Sequence, residues 1–212
     1  MAARFLSFEG ADGAGKSTQA RRLAATLRAE GRDVVLTREP GGAPGAEEIR
    51  RLLVEGEPGR WSPVTETLLF FAARRDHVER TIRPALDRGA VVITDRFTDS
   101  TRAYQAASRP DGAEGAPAAL IETLQREAIG LSPDLTLLFD IAPEAARSRS
   151  LARGGEEARF EGMGAAFQAR LRAAFLALAA AEPARFAVID ADGTEDEVAG
   201  RVLAAVLPRL GA

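Results

Sequence analysis

The chain of 212 residues contains no cysteine, no asparagine, one histidine and one lysine. Without cysteine it can form neither a disulfide nor a thiolate metal site, and the single imidazole of His77 cannot build a zinc cluster. We therefore expect any bound metal to have oxygen ligands. A formal net charge of −3 argues against sequence-independent binding of nucleic acid, which requires a large basic excess.

Long apolar runs are also absent. No segment stays apolar over the roughly 20 residues that span a bilayer, and the first residues lack the basic segment and apolar core of a signal peptide. We therefore expect no membrane partner and a cytoplasmic location. With 46% hydrophobic residues, a chain of this length can bury a full core, and we expect a single domain over residues 1–212.

The segment with the clearest chemistry is Phe8–Thr18, in which two glycines five residues apart precede Lys16 and Ser17. This is the pattern of a phosphate-binding loop, in which backbone N–H groups converge on a polyphosphate, the lysine reaches the outer phosphates and the hydroxyl suits Mg²⁺. Arg4–Phe8 is apolar enough for the preceding strand, and Thr18–Leu27 has the spacing of the following helix. A glycine turn that matches by chance is the alternative. Use of the only lysine at this position argues against it, since a guanidinium does not replace a compact ammonium.

Five strand-like runs are separated by stretches with helical periodicity or turn residues. They are Arg4–Phe8, Asp33–Thr37, Ala90–Thr94, Leu135–Asp140 and Phe186–Ile189. This alternation predicts an α/β fold with a five-stranded parallel sheet and helices on both faces. Gly31 and Gly89 are expected to end helices, and Pro84 to interrupt one. Because ligands bind beyond the carboxyl ends of parallel strands, the residues after each strand are the candidate site residues.

Charged residues follow three of these strands. Asp12 lies in the phosphate loop, where an acid costs electrostatic energy unless it serves the metal or, as we favour, a second substrate; a solvated acid is the alternative. Arg38 suits bidentate recognition of a phosphate, although an ordinary surface arginine fits equally well. Asp95 ends an apolar strand, as a water-mediated Mg²⁺ partner does, and Arg96 beside it could clamp a phosphoryl group. A surface Asp-Arg pair is the alternative.

Two further stretches point to a nucleotide. Phe70 and Arg74 are four residues apart on a predicted helix and therefore share one helix face. The Phe70 ring could stack on a base while the Arg74 guanidinium reaches the polar edge of that base. Phe71 is assigned to the core. After the fourth strand, an arginine-dense segment contains Gly154 and Gly155. It has the composition either of a solvated charged helix or of a lid that closes on a triphosphate and supplies an arginine finger.

Taken together and in order, these motifs resemble those of the bacterial thymidylate kinases over nearly the whole chain. The motifs are Phe8–Gln19, Arg38–Gly42, Leu69–Arg74, Asp95–Phe97 with Ser100 and Ala103–Gln105, and Arg159–Glu161. The resemblance implies a P-loop NTPase fold of the nucleoside monophosphate kinase kind, with a short lid at about residues 147–161. It also implies transfer of the γ-phosphoryl group of ATP to dTMP with Mg²⁺, giving dTDP, and a homodimer.

The resemblance further implies a role for each site residue. ATP is expected to contact Gly10, Ala11, Asp12, Gly13, Ala14, Gly15, Lys16, Ser17, Thr18 and Arg149. The expected dTMP contacts are Asp12, Arg38, Phe70, Arg74, Arg96, Ser100, Thr101, Tyr104 and Gln105, with Tyr104 crowding the 2′ position of a ribonucleotide. Ser17 and Asp95 are expected to hold Mg²⁺. The catalytic residues would be Lys16, Arg96 and Arg153, since members with Gly13 in the loop take their catalytic arginine from the lid.

Other functions are distinguishable in the sequence. A GTPase would need an Asn-Lys-x-Asp guanine reader, and a partitioning ATPase a second lysine in its loop; neither is present. A nucleoside monophosphate kinase with a different base preference would share the fold, the metal and the lid. A non-catalytic ATP-binding protein is the third alternative, and the arginine-rich segment argues against it.

Overall fold

The structure is a computed structural model that describes residues 4–55, 59–108, 116–153 and 164–210; for residue 147 and residues 150–153 it describes the backbone alone. The strands are β1 (Phe5–Glu9), β2 (Val34–Arg38), β3 (Val91–Asp95), β4 (Leu135–Asp140) and β5 (Phe186–Asp190). The helices are α1 (Lys16–Ala29), α2 (Pro44–Val54), α3 (Pro63–His77), α4 (Arg83–Asp87), α5 (Thr98–Ala107), α6 (Ala118–Leu124), α7 (Pro143–Arg153), α8 (Gly164–Ala181) and α9 (Glu195–Leu210). Single π-helical turns follow α3 and α6, at Val78–Ile82 and Gln125–Ile129.

All five strands are parallel, in the order β2-β3-β1-β4-β5. The predicted sheet is confirmed, and each predicted strand overlaps an observed one with ends that differ by at most one residue. β1 lies at the centre of the sheet, and its register places Phe8 beside Asp95 of β3. The loop after β1 and the residues after β3 therefore emerge side by side at the carboxyl edge, where ligands bind in such sheets.

Helices cover both faces of the sheet, as predicted. On one face Leu6 and Phe8 of β1 pack against α1 and α9, and Phe8 stacks on Phe139 of β4 with ring centroids 5.4 Å apart. On the other face Phe5 meets Phe97 edge to face at 5.0 Å, within a cluster that includes Ile82. Strands buried on both faces explain the continuous apolar runs in the sequence.

The predicted helix ends are also confirmed. Gly31 and Gly89 have φ values of +82° and +87°, and each donates its N–H to a carbonyl of the last helical turn, as glycines that end helices do. Pro84 lies in the first turn of α4, and the regular α-helix is interrupted directly before it by the π-helical turn Val78–Ile82. None of the described helices has the length and apolar character needed to cross a membrane.

Candidate active site

The phosphate loop joins β1 to α1 and is shaped by its backbone. Gly10, Gly13 and Gly15 have φ values of +133°, +87° and +89°, a region that L side chains rarely adopt. Lys16, the first residue of α1, donates from Nζ to the carbonyl oxygen of Ala11 at 2.8 Å, so its side chain folds back over the loop. Burial and the charge of Arg96 lower the pKa of Lys16 to about 8. The helix N-terminus and this ammonium together form an anion site.

Gly13 brings the loop into close contact with α7. A Cβ atom on Gly13 would lie 2.0 Å from the carbonyl oxygen of Ala146, a backbone atom of that helix. A Cβ on Gly10 would similarly meet the carbonyl oxygen of Phe139 at 2.6 Å. Both distances are far below van der Waals contact, so the loop can lie against β4 and α7 only if these two positions are glycine.

Two oxygen donors lie together at the start of α1. The Ser17 hydroxyl donates to Oδ2 of Asp95, while Oδ1 of Asp95 is buried and makes no hydrogen bond to any described residue. Within the part of the chain that the structure describes, no three His, Asp or Glu side chains gather into a metal cluster. One hydroxyl and one carboxylate with a spare oxygen fit Mg²⁺, which usually completes its shell with water and phosphate oxygens.

Arg96 forms a hub directly after β3. Its φ of +71° is uncommon for a residue with a side chain, and its N–H donates to the carbonyl oxygen of Phe8 at 3.0 Å. The guanidinium is mostly buried and donates to Asp12, to Ser100 Oγ at 2.8 Å and to the Tyr104 hydroxyl at 3.2 Å. The unusual backbone thus aims a fully charged group at the phosphate loop.

Asp12 is held ionised by this hub. Burial alone would raise its pKa, but the charges of Arg96 and Lys16 and the hydrogen bonds from Arg96 and Tyr104 lower the pKa of Asp12 to about 2. The Tyr104 hydroxyl donates to Oδ2 of Asp12 at 3.1 Å, and burial raises the pKa of Tyr104. The site therefore presents a carboxylate and a neutral phenol side by side.

An open cleft lies beside the loop, and the space between its walls, including the part open to solvent, is about 950 Å³. All the residues predicted to contact dTMP except Arg38 line it. They are Asp12, Phe70, Arg74, Arg96, Ser100, Thr101, Tyr104 and Gln105. The cleft is also lined by residues to which the sequence analysis assigned no ligand contact, among them Pro40, Arg50, Leu53 and Phe97. Phe71, which was assigned to the core, is buried in the hydrophobic core.

The remaining predicted residues lie elsewhere. Arg38 is exposed and donates to Glu47 at 3.2 Å, outside the lining of the described cleft, so its contact with a phosphate stays a prediction. Arg149 donates to the carbonyl oxygen of Ala191, in the loop after β5, at 2.8 Å. Its contact with adenine also stays a prediction. The side chain of Arg153 and residues 159–161 lie outside the described parts of the chain.

Glu9 is a site residue that sequence reasoning missed. It ends β1 fully buried, where it accepts hydrogen bonds from the Phe97 N–H at 2.7 Å and from Ser100 Oγ. Burial, and then the charge of Asp99, raise the pKa of Glu9 to about 8. Ser100 therefore bridges Glu9 and Arg96 as well as lining the cleft. The only sequence signal was an acid at the end of an apolar strand, just before the first loop glycine.

Comparison with known proteins gives the same picture over nearly the full length. A family model described as Thymidylate kinase matches residues 8–202. The chain is 61% identical over 201 residues to the thymidylate kinase of Dinoroseobacter shibae, covering 95% of each protein. It is 58% identical over 209 residues to that of Caulobacter vibrioides, covering 98% of this chain and 97% of the relative. The crystal structure of thymidylate kinase from Ehrlichia chaffeensis is similar with a TM-score of 0.76 at 31% identity, covering 98% of this chain and 100% of that one.

Proposed function

The chain belongs to the thymidylate kinase family, and from that membership we propose that it transfers the γ-phosphoryl group of ATP to dTMP, giving dTDP. The observation that carries the proposal is that one cleft is lined both by Phe70 and Arg74 and by the Arg96–Asp12 ion pair beside the phosphate loop. A base and a phosphate joined by a sugar suit that arrangement.

The reaction needs little covalent help from the protein. The accepting phosphate oxygen of dTMP is already anionic at neutral pH, so catalysis reduces to in-line positioning and to neutralisation of charge on the transferred group. Arg96 would hold the acceptor phosphate, and Lys16 the outer phosphates of ATP. Arg153, on the proposed lid at about residues 147–161, would supply the arginine finger. The lid and the rest of the site would belong to one kinase domain.

Ser17 and Asp95 would hold Mg²⁺, and the buried Oδ1 of Asp95 supports this because it has no other described partner. Bound there, Mg²⁺ would offset negative charge on the phosphate oxygens. The chain's own contribution is to keep the two oxygens at the mouth of the loop. Ser17 lies in the first turn of α1 and Asp95 ends β3, so a helix and a strand hold the two oxygens in place.

The residues proposed to face the base suit a pyrimidine deoxynucleotide. Phe70 offers a ring face for stacking, and Nη1 of Arg74 is buried without a hydrogen bond to any residue in the described ranges. Ser100, Thr101 and Gln105 would line the base pocket. Tyr104 is fixed by Asp12 and Arg96, where it would crowd a 2′-hydroxyl.

A homodimer in the cytoplasm completes the proposal. Val64 and Leu68 lie one turn apart on α3 with exposed fractions of 40% and 46%, and Leu52 on the neighbouring α2 is exposed to 39%. Exposed apolar side chains at helical spacing are typical of a face that another subunit covers.

The test is to measure ADP production with ATP, Mg²⁺ and a panel of dTMP, dUMP, UMP, dCMP, CMP, AMP and GMP. We expect dTMP to give the highest kcat/KM. A lead for UMP, CMP or a purine nucleotide would keep the kinase but overturn the base assignment. ATP binding without turnover of any acceptor would overturn the kinase itself.

A further inference from the structure

Arg74 is held in an unusually complete setting. Its side chain is 2% exposed, its Nε donates to Oε2 of Glu39 at 2.7 Å, and its Nη2 donates to Thr101 Oγ1 at 3.1 Å. The guanidinium carbon also lies 4.9 Å and 5.1 Å from the ring centroids of Phe71 and Phe97. Two of the three nitrogens and two aromatic rings therefore fix its position, and Nη1 is the nitrogen left for a ligand.

A buried chain of hydrogen bonds supports Glu39 from behind. Its Oε1 lies 3.0 Å from Nδ1 of His77, and Nε2 of the same imidazole lies 2.8 Å from Thr37 Oγ1. His77 is fully buried, and the backbone N–H of Glu39 donates to the carbonyl oxygen of Asp95 at 2.9 Å. One ring nitrogen of His77 thus faces the Glu39 carboxylate and the other faces the Thr37 hydroxyl, so both polar atoms of the ring have a hydrogen-bond partner.

The turn after β2 closes over this chain. A Cβ on Gly42 would lie 2.4 Å from Thr37 Oγ1 and 2.5 Å from His77 Nε2, so only glycine allows the two groups to meet there. The Gly42 carbonyl oxygen in turn accepts a hydrogen bond from Thr81 Oγ1 at 2.7 Å. Packing on an imidazole thereby explains Gly42, the second glycine of the sequence motif.

We propose that Glu39 and His77 are positioning residues for base recognition. They hold Arg74 so that Nη1 meets a carbonyl oxygen at the edge of a pyrimidine, and they thereby set the preference for a base with a carbonyl over one with an amino group at that edge. Both carboxylate oxygens of Glu39 are already engaged, so it acts through Arg74. The inference rests on the proposed dTMP kinase activity.

The physical reason is that a guanidinium only donates hydrogen bonds. Facing the exocyclic amino group of a cytosine, a rigidly held Nη1 would leave two buried donors opposed and unpaired, which a site built for a hydrogen bond rejects strongly. An arginine free to swing away would avoid that opposition. Selectivity therefore depends on how firmly Glu39 fixes the guanidinium as well as on the presence of Arg74.

The test compares Glu39→Gln with the wild type in steady-state kinetics on dTMP, dCMP and ATP. We expect the KM for dTMP to rise about 10- to 100-fold, the range for losing a hydrogen bond between charged groups. The expected kcat stays within about 3-fold, the KM for ATP is unchanged and the dTMP-to-dCMP preference narrows. Glu79→Gln is the matched control, because it removes the same charge from an exposed pair with Arg75 one turn further on. It should leave all these values unchanged.

A double-mutant cycle with Arg74→Lys separates positioning from a merely structural role. If Glu39 acts through Arg74, Glu39→Gln adds less than about 3-fold to the KM for dTMP in the lysine background, whereas independent effects would multiply. Should Glu39→Gln fail to fold, Thr37→Val and His77→Asn carry the same test from the far end of the chain. Folded variants with unchanged KM and selectivity would overturn the inference. A wild type inactive on dTMP would instead overturn the proposed function.

Discussion

The phosphate loop and the acceptor cleft beside it, the two halves of the site, are built differently. Around the phosphate loop, shape comes from backbone: Gly10, Gly13 and Gly15 adopt positive φ, and the loop lies against carbonyl groups of β4 and α7. The acceptor half is made of charged side chains that are already paired, Arg96 with Asp12 and Arg74 with Glu39. Pairing within the protein fixes the acceptor half before any ligand arrives. Changes in the two halves should therefore separate, with donor-side changes acting on kcat and acceptor-side changes on KM.

The sharpest test of this separation is Arg153→Ala, at the end of α7. An arginine that meets the transferred phosphoryl group only in the transition state contributes about 10³- to 10⁵-fold in related systems. We expect kcat to fall by that order while the KM for dTMP changes little, measured by coupled ADP release under saturating ATP.

Arg147→Ala is the control for that experiment, since it removes the same side chain from the same helix and Arg147 has no predicted contact with ATP or dTMP. A loss in Arg147→Ala as large as that in Arg153→Ala would assign the effect to general positive charge. A kcat within 10-fold of wild type in Arg153→Ala would remove the lid finger from the mechanism.

A smaller effect, on stability, tests the backbone half directly. Gly13→Ala and Gly15→Ala introduce the same methyl group at φ values of +87° and +89°, so they share a conformational strain of about 1–2 kcal/mol. Only the first also meets the carbonyl oxygen of Ala146, whereas the second points into space with no described atom within 4 Å. We expect Gly13→Ala to lose at least about 1 kcal/mol more in urea unfolding than Gly15→Ala. Equal losses would mean that α7 does not rest on the loop.

The difference between the halves also explains what could be predicted from sequence. The phosphate loop is local: strand, glycines, Lys16 and helix are contiguous, so spacing alone identified it, and the five apolar runs located the strands to within a residue. Phe70 and Arg74 were predictable as a pair because they share one helix face.

The acceptor network was not predictable, because its members meet only through the fold. Thr37 lies in β2, Glu39 directly follows that strand, and His77 is the last residue of α3. Nothing in the local sequence shows that the imidazole contacts both Thr37 and Glu39. Glu9 is similar, since its environment is set by residues of α5 and by burial on both faces of the sheet. Arg38 shows the converse. An arginine at the end of a strand suits a phosphate, but here its guanidinium donates to Glu47 of the following helix.

The pH dependence of stability compares the carboxyl groups of Glu9 and Asp12, three residues apart. The pKa of Glu9 in the folded state, about 8, lies above its ordinary value of 4.5, so between these values the unfolded chain has already released the proton that the folded chain retains. The free energy of unfolding should therefore fall as pH rises from about 4.5 to 8, with a slope of at most about 1.4 kcal/mol per pH unit. The pKa of Asp12 is lowered to about 2, so its effect on the free energy of unfolding has the opposite sign. That stabilising contribution is lost only as pH falls below 3.8, the ordinary pKa of the group.

Glu9→Gln should flatten the neutral limb of that profile and leave the acid limb, which urea unfolding at half-unit pH steps can resolve. Asp12→Asn provides the reverse control, since it should flatten the profile below pH 4 and keep the slope between pH 5 and 8. Parallel neutral limbs for wild type and Glu9→Gln would show that the Glu9 carboxyl is already ionised in the folded protein at neutral pH. In that case the hydrogen bonds of Ser100 to Glu9 and Arg96 would not depend on protonation of the Glu9 carboxyl. The ion pairs alone would then keep the acceptor half ordered.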